Sequence, residues 1–557
     1  MPRFALGLFH FNTQYVAGDN EIADRYCREA IDPFLRAVER RPGWRVSFEI
    51  AGSGLEFLAS RHGRIFDLLR SLVNCSKIEL ISSLYVPSIW IAFPRRDLIQ
   101  SVTINRECLR DLGVKDSGIF FSQEAFFGPG VGTLAEFFDS ALCKDEYLDY
   151  FIPESERLSP QYQLGRMRVI AGSGHLANLL AREYLEAESL PYPYRRRLEC
   201  TSVSIPGGTR SLECGALGDV EWVWYHMGSG HHFATPYSPE DMERFFFDPD
   251  WAAMNMRLLD QLEAQGFRFS PIREFADSVK HLEAPPLSPL VEGSWNTARS
   301  FGVFEWMGRH SDPWENDPEI LGHAWRAREG LVLREIQAPD VQSDFLISEA
   351  LQAAWKQQLL AESSDPLGWD TTPAEVKFGR ISSEQALASA FALGPIDPGK
   401  SDLPGEFKLS NPFTGIEVFG GTGSFTVCLI SEVIQQVDIH IEQSQAECGV
   451  RFARSEGPIM YCPSGLEDDP ARVEFESLRQ EVLYLPLSNG LVSLGNDLAV
   501  IRVNRYGMCA ARLARLDPHV TFGVDGGRRG TVLRWRFLMY RGAIESAVEL
   551  ANTTNLV

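Results

Sequence analysis

The sequence predicts a chain in three parts: an α/β region on a parallel sheet, a helical region, and a C-terminal antiparallel β-sandwich. Three observations carry this. Over residues 1–271 short apolar runs alternate with helical patterns, as βα units around a parallel sheet require. Over 272–393 the patterns are helical and separated by longer loops. Past a Pro- and Gly-dense break at Gly394–Gly405, the apolar period changes to two, and this third part fills 405–557.

The apolar runs of the first part are Phe4–Phe11, Arg45–Ile50, Lys77–Ser82, Gly118–Phe121, Met167–Ala171, Glu221–Tyr225 and Gly266–Pro271. They are apolar throughout, as strands covered on both faces are. Glycine triplets follow three of them: Gly52-Ser53-Gly54, Gly172-Ser173-Gly174 and Gly228-Ser229-Gly230. Glycine suits a junction where a strand turns into a helix. Ser238-Pro239-Glu240-Asp241 supplies an N-cap, a first-turn proline and acids that the helix dipole favours. The pattern alone leaves open whether these strands close into a barrel or lie as an open sheet.

In the second part Leu346, Ile347, Ala350, Leu351, Ala354, Trp355 and Leu359 make one apolar helical stripe. The stretch Trp295–Trp314 reads as an aromatic-rich loop. In the third part Val437, Ile439 and Ile441 alternate with Asp438, His440 and Glu442, and Leu533, Trp535 and Phe537 alternate with Arg534 and Arg536. About ten such runs with turns between them predict the sandwich.

Composition bounds the function. The 557 residues are 44% hydrophobic and 23% charged, which excludes a disordered, fibrous or coiled-coil protein. A net charge of −22 opposes phosphate backbones and anionic lipid, and the basic runs Arg195-Arg196-Arg197 and Arg528-Arg529 are short. No nucleic-acid or membrane partner is therefore expected. The start, Met1-Pro2-Arg3 before Phe4–Phe11, does not read as a signal peptide. Ten scattered cysteines without a Cys-x-x-Cys point to free thiols in a reducing cytoplasm and to no structural metal.

On parallel α/β sheets the chemistry sits at the C-terminal strand ends. Residues there are His10 to Gln14, Glu79, Glu124, His226 and Gly230-His231-His232, with Ser363-Ser364-Asp365 beyond the sheet. Two carboxylates at adjacent strand ends suit glycoside cleavage, whereas a single acid more often pairs with an arginine or caps a helix. The ordered segments Leu8-Phe9-His10-Phe11-Asn12, Ile50–Leu58 with Lys77-Ile78-Glu79-Leu80-Ile81, Gly118–Ala125 and Leu359–Asp365 resemble glycoside hydrolase family 57. That family holds retaining α-glucan amylases, branching enzymes and 4-α-glucanotransferases. The resemblance covers the first 390 residues. It implies a (β/α)7-type barrel, a helical bundle closing the cleft and no cofactor or metal. It also implies Glu124 as nucleophile and sugar contacts from His10, Glu79 and Asp365, with an oligo- or polysaccharide as the partner.

The chain departs from the family pattern twice. Asn12 stands where the first motif has its second histidine, and Asn12 is counted with the sugar-binding residues. The segment His226–Phe233, after the late strand, carries no carboxylate where the family keeps its general acid. Three readings follow: an imidazolium from His226 or His231 serves as the acid, a carboxylate such as Asp219 or Asp365 reaches in, or the scaffold binds glycan without cleaving it. Trp369 belongs to a tryptophan-rich stretch able to stack on sugar rings, although such residues are more often core. Gly172-Ser173-Gly174-His175-Leu176-Ala177 fits a dinucleotide fingerprint, but it lies far from the first βα unit. Oligomeric state is left open.

Overall fold

The computed structural model describes residues 3–5, 7–11, 20–90, 93, 95–123, 126–127, 129–144 and 161–172 of the first part. Further on it describes 203–205, 208–210, 216–219, 225–226, 246–247, 264, 267–287, 320, 323–324, 326–328, 330–332, 345–367 and 373–393. In the third part it describes 416–431, 433–445, 448–453, 459–462, 471–474, 482–485, 491–495, 498–503, 510–514, 519–524, 532–543, 546–547 and 550.

The first part is built on an eight-stranded sheet. Its order is Ala216–Asp219, Gly7–Phe11, Val46–Ile50, Ile78–Ser82, Asp116–Phe120, Ser140–Lys144, Met167–Gly172 and Gln161–Leu164. Every neighbouring pair is parallel except the last, a hairpin running back along the edge. Arg3–Ala5 pairs separately, in parallel, with Phe267–Phe269. Of the run expected at Glu221–Tyr225 only Tyr225 lies among the described residues, where Tyr225–His226 pairs antiparallel with Phe246–Phe247 in a two-stranded sheet of its own; Ala216–Asp219 pairs in parallel with Gly7–Phe11. Ser140–Lys144, with only three apolar residues, has too little pattern to read as a strand.

One face of the sheet carries Phe9, Phe11, Val46, Phe48, Ile50 and Leu80, packed in one core with Phe34, Leu55 and Leu69 of the covering helices. Opposite them, Leu8, Ile81, Ile119, Leu142 and Ile170 gather around Ile272, Phe275, Ala276 and Val279 of the helix Ile272–Val279. This contact decides the shape. Ser47 Oγ accepts from Ile272 N at 3.0 Å near the helix start, and Gln161 Nε2 donates to Val279 O at 3.0 Å near its end. Those two strands are five places apart in the sheet, about 24 Å if it were flat, whereas the eight-residue helix is about 12 Å long. The sheet must curl around the helix.

In the second part, Ala354, Trp355 and Leu359 of the helix Phe345–Leu360 share a core with Leu98, Val102 and Ile104 of the helix Arg95–Leu112. Ala350, expected on the apolar stripe, is exposed, while Gln358 is wholly buried. Lys356 Nζ meets Glu56 Oε1 at 2.5 Å, and Tyr85 donates to Glu56 Oε2 at 2.9 Å, tying this helix to the first part.

The third part contains a five-stranded and a seven-stranded antiparallel sheet. In Ile434–Gln443 the period of two holds: Val437, Ile439 and Ile441 are buried, and His440 and Glu442 are exposed. The rings of Phe452 and Phe537, one from each sheet, lie 5.1 Å apart. Five described cysteines (27, 75, 108, 143, 448) are free thiols. Among the described residues no helix is long and apolar enough to cross a membrane, and no group of ligating side chains could hold a metal ion.

Candidate active site

Strand register brings three polar residues into one row near the C-terminal end of the sheet. Asp219 pairs with His10, His10 pairs with Glu49, and Glu49 pairs with Ile81. Parallel neighbours in register share a face, and here it is the face away from Phe48 and the covering helices. Glu49 is 1% exposed. It was not singled out from sequence, although a carboxylate inside a strand buried on both sides is a rare signal. The backbones of His10 and Asp219 are described, and their side chains lie outside the described residues.

Glu79 is placed differently from the expectation. It is the second residue of Ile78–Ser82, at the N-terminal end of the strand. Its carboxylate accepts from Arg273 N at 3.0 and 3.2 Å and from Ser47 Oγ at 2.6 Å. Helix Ile272–Val279 follows Pro271, which offers no side-chain cap, and Glu79 supplies the missing acceptor from across the sheet. Burial pushes its carboxyl upward, and the bonds from Ser47 and the Arg273 backbone hold it down in part. Glu79 anchors a helix at the end of the sheet remote from the expected chemistry.

Asp365 does lie at the C-terminal edge. It opens the 3₁₀ turn Asp365–Leu367, partly exposed, with Ser364 Oγ donating to its Oδ1 at 3.4 Å. Ser364 N donates to Pro87 O at 2.9 Å, and Pro87 belongs to the segment leaving the end of Ile78–Ser82. The same segment accepts Gly52 N at Leu84 O and Ser53 N at Tyr85 O, 3.2 and 2.8 Å. Asn105 Nδ2 braces it through Ser83 O at 2.8 Å.

Strand Asp116–Phe120 ends at the same edge, with Phe121 N bonded to Ser82 O at 3.1 Å and Gln123 buried after it. Glu124, next in the chain, lies outside the described residues, as do Asn12, His231, Trp369, the Trp295–Trp314 loop and Gly394–Gly405. Gly172 ends its strand, and the rest of the dinucleotide-like run is also outside. His226 sits in the small two-stranded sheet opposite Phe246, not at the end of a strand of the main sheet. The late-strand position beside His10 belongs to Asp219 instead.

Residues 10–206 match the model of the family described as glycosyl hydrolase family 57. An α-amylase of Pyrococcus horikoshii is 26% identical over 147 residues, 26% of this chain and 23% of that protein. A 4-α-glucanotransferase of Thermococcus kodakarensis is 26% identical over 126 residues, 23% of this chain and 19% of that protein. The chain thus aligns with about a fifth to a quarter of these relatives' length, in terms of 23% and 19% coverage. Among solved structures, the 4-α-glucanotransferase of Thermococcus litoralis matches 97% of this chain and 100% of its own at 11% identity and a TM-score of 0.45. A family 57 branching enzyme of Pyrococcus horikoshii matches 70% and 89% at 12% identity and a TM-score of 0.45. Residues 10–206, which hold most of the parallel strands, are thus similar to glycosyl hydrolase family 57.

Proposed function

We propose that this protein is a carbohydrate-active enzyme that cleaves or transfers α-linked glucan by a retaining route. The supporting observation is the register row Asp219–His10–Glu49, which sets acid, imidazole and acid positions side by side near the C-terminal edge. Glu124, four residues beyond Phe120, is the nucleophile in this reading. Its carboxylate attacks the anomeric carbon while an acid protonates the departing glycosidic oxygen, leaving a glycosyl-enzyme. The same acid, now a base, takes a proton from water or from an acceptor hydroxyl, and the second attack returns free enzyme.

The acid is assigned to Asp219 over His226 and His231. Asp219 shares a strand-end row with His10, whereas His226 belongs to a separate pair of strands. His10, Asn12, Asp365 and Trp369 take sugar hydroxyls or faces, and Glu79 is withdrawn from that set because its oxygens hold the helix start. The reading places the chemistry in 1–271, closes it with 272–393, and treats the two C-terminal sheets as a sandwich in a protein of the cytoplasm. A glycan-binding protein without catalysis is the second reading, favoured by the absence of any carboxylate from His226 to Phe233.

Product analysis on maltooligosaccharides separates the two. Products from the native protein should fall about 10²–10⁴-fold in Glu124→Gln and in Asp219→Asn. Full activity in Asp219→Asn with loss in His226→Gln would transfer the acid role to the histidine. Binding by the native protein without products would establish the second reading.

A further inference from the structure

The stretch of chain that leads to Asp365 is fastened to one segment of the first part, Ser83–Ser88, which leaves the strand Ile78–Ser82 at its C-terminal end. That segment is itself held by the first part. Asn105 Nδ2 donates to Ser83 O at 2.8 Å, Gly52 N to Leu84 O at 3.2 Å and Ser53 N to Tyr85 O at 2.8 Å. Tyr85 N in turn donates to Ser101 Oγ at 3.1 Å, in a buried bond. Bonds to the helices Gly52–Arg61 and Arg95–Leu112 make the segment a fixed platform.

The helix Phe345–Leu360 of the second part meets that platform through one carboxylate. Glu56 divides its oxygens: Oε1 takes Lys356 Nζ at 2.5 Å, and Oε2 takes the Tyr85 hydroxyl at 2.9 Å. Lys356 Nζ also stands 5.3 Å from the centroid of the Tyr85 ring. Past the helix end, Ser364 N donates to Pro87 O at 2.9 Å, on the same platform. The stretch from Lys356 to Ser364 is therefore held at both ends, and Asp365 follows directly, its Oδ1 accepting from Ser364 Oγ at 3.4 Å.

Elsewhere the helix shares an apolar core with Arg95–Leu112 through Ala354, Trp355 and Leu359, and Gln352 Nε2 donates to Glu107 Oε2 farther from Asp365. Apolar burial attracts without direction, so by itself it lets the end of a helix shift on its neighbour. A carboxylate that receives two donors fixes where both stand. We propose that Glu56, Lys356 and Tyr85 form a latch that sets the helix end on the platform and so positions Asp365 at the sheet edge. All three are positioning residues. Their relevance to sugar rests on the reading of Asp365 above, while the latch itself does not.

The side chains of Lys356 and Glu56 are 26% and 36% exposed, so the ion pair is partly in water and its tie is modest. Methionine at position 356 keeps the apolar stem and loses the charge, whereas arginine keeps a charged donor for Glu56. Phenylalanine at position 85 keeps the ring and loses the hydroxyl. Each of these changes removes one contact of the latch and leaves the volume nearly the same.

The test reads amide hydrogen exchange at Ser364, with kcat and KM on maltoheptaose, in the native protein, Lys356→Met, Lys356→Arg and Tyr85→Phe. Ser364 N is the reporter because its bond leaves the helix for Pro87 O. In Lys356→Met it should exchange about two- to fivefold faster, the size expected for a partly exposed ion pair. KM should rise by a similar factor while kcat changes less than about twofold, and Lys356→Arg should restore both. Amides of Ile434–Gln443, in the third part, should exchange as in the native protein. Unchanged Ser364 exchange would overturn the latch, as would faster exchange spread equally over Ile434–Gln443. Faster Ser364 exchange with an unaltered KM would overturn the positioning role. Faster exchange, restored by arginine, in a protein that neither binds nor converts maltoheptaose would support the latch and refute the α-glucan reading. Should Lys356→Met not fold, Tyr85→Phe decides by the same readings.

Discussion

Replacing Gly52 by alanine tests how the segment at the C-terminal edge is held. Gly52 begins the helix Gly52–Arg61 directly after a central strand. A Cβ added there would press into Asn105 Oδ1 and come within 3.0 Å of Tyr85 Cδ2. Asn105 is 4% exposed and donates from Nδ2 to Ser83 O, so it cannot withdraw without losing that bond. Overpacking of this kind costs about 1–3 kcal/mol. A buried acceptor left unpaired costs about 1–3 kcal/mol more. Alanine's better helix propensity returns at most about 1 kcal/mol. The expected net loss is about 1–5 kcal/mol, read as the change in unfolding free energy from urea titration. Asn105→Ala removes the obstructing amide, so the alanine at 52 should cost much less in that background, with a coupling of about 1–2 kcal/mol. A Gly52→Ala protein within about 0.5 kcal/mol of the native one would refute the steric argument, as would strict additivity of the pair.

Other consequences follow from the same contacts. Arg328→Met strands the buried Asp97 carboxylate and should cost about 3–5 kcal/mol in urea unfolding; a loss under about 1 kcal/mol would show that the pair is not buried as described. Lys77 Nζ donates to Val38 O, Glu39 O and Arg41 O at 3.0, 2.6 and 3.2 Å, closing the C-terminus of Asp32–Arg40. Lys77→Met should therefore lower the unfolding free energy by about 1–2 kcal/mol and speed amide exchange in that last turn. Asp24 accepts from Arg61, bonds His62 at 2.8 Å, and is held well below the usual carboxylate range, chiefly by the Arg61 bond. Its contribution is present above the ordinary range and is lost as pH falls toward the folded-state value. Asp24→Asn should accordingly be less stable at neutral pH, with the gap to native narrowing under acid; a constant gap in thermal unfolding would contradict this.

Much of the architecture was legible because local patterns carried it. The strands at Gly7–Phe11, Val46–Ile50 and Ile78–Ser82 lie inside runs that are apolar on both faces, and Ile434–Gln443 alternates as a half-covered strand does. Asp365 was recognisable as a residue after an apolar helix, and its turn does reach the sheet edge through Ser364 and Pro87. Ala350 and Gln358 show the limit of periodicity. A helix reads its buried face from whatever packs against it, and here a polar network claims part of that face.

Within residues 10–206, the sequence by itself showed the likeness to glycosyl hydrolase family 57, because short ordered motifs survive where overall identity is low. It also determined that a carboxylate is missing from His226 to Phe233. Only the tertiary structure decided what the individual acids do. Glu79 became a helix anchor because the sheet curls and carries Arg273 N to it across 194 residues of chain. Asp219, and not His226, came to stand beside His10 because pairing between distant strands selects the register, and no local pattern encodes that partner. Glu362 and Asp97 are ordinary helix acids when read along the chain. Burial, chiefly, and the nearby Asp97 raise the Glu362 carboxyl only because elements distant in the chain meet there and exclude water.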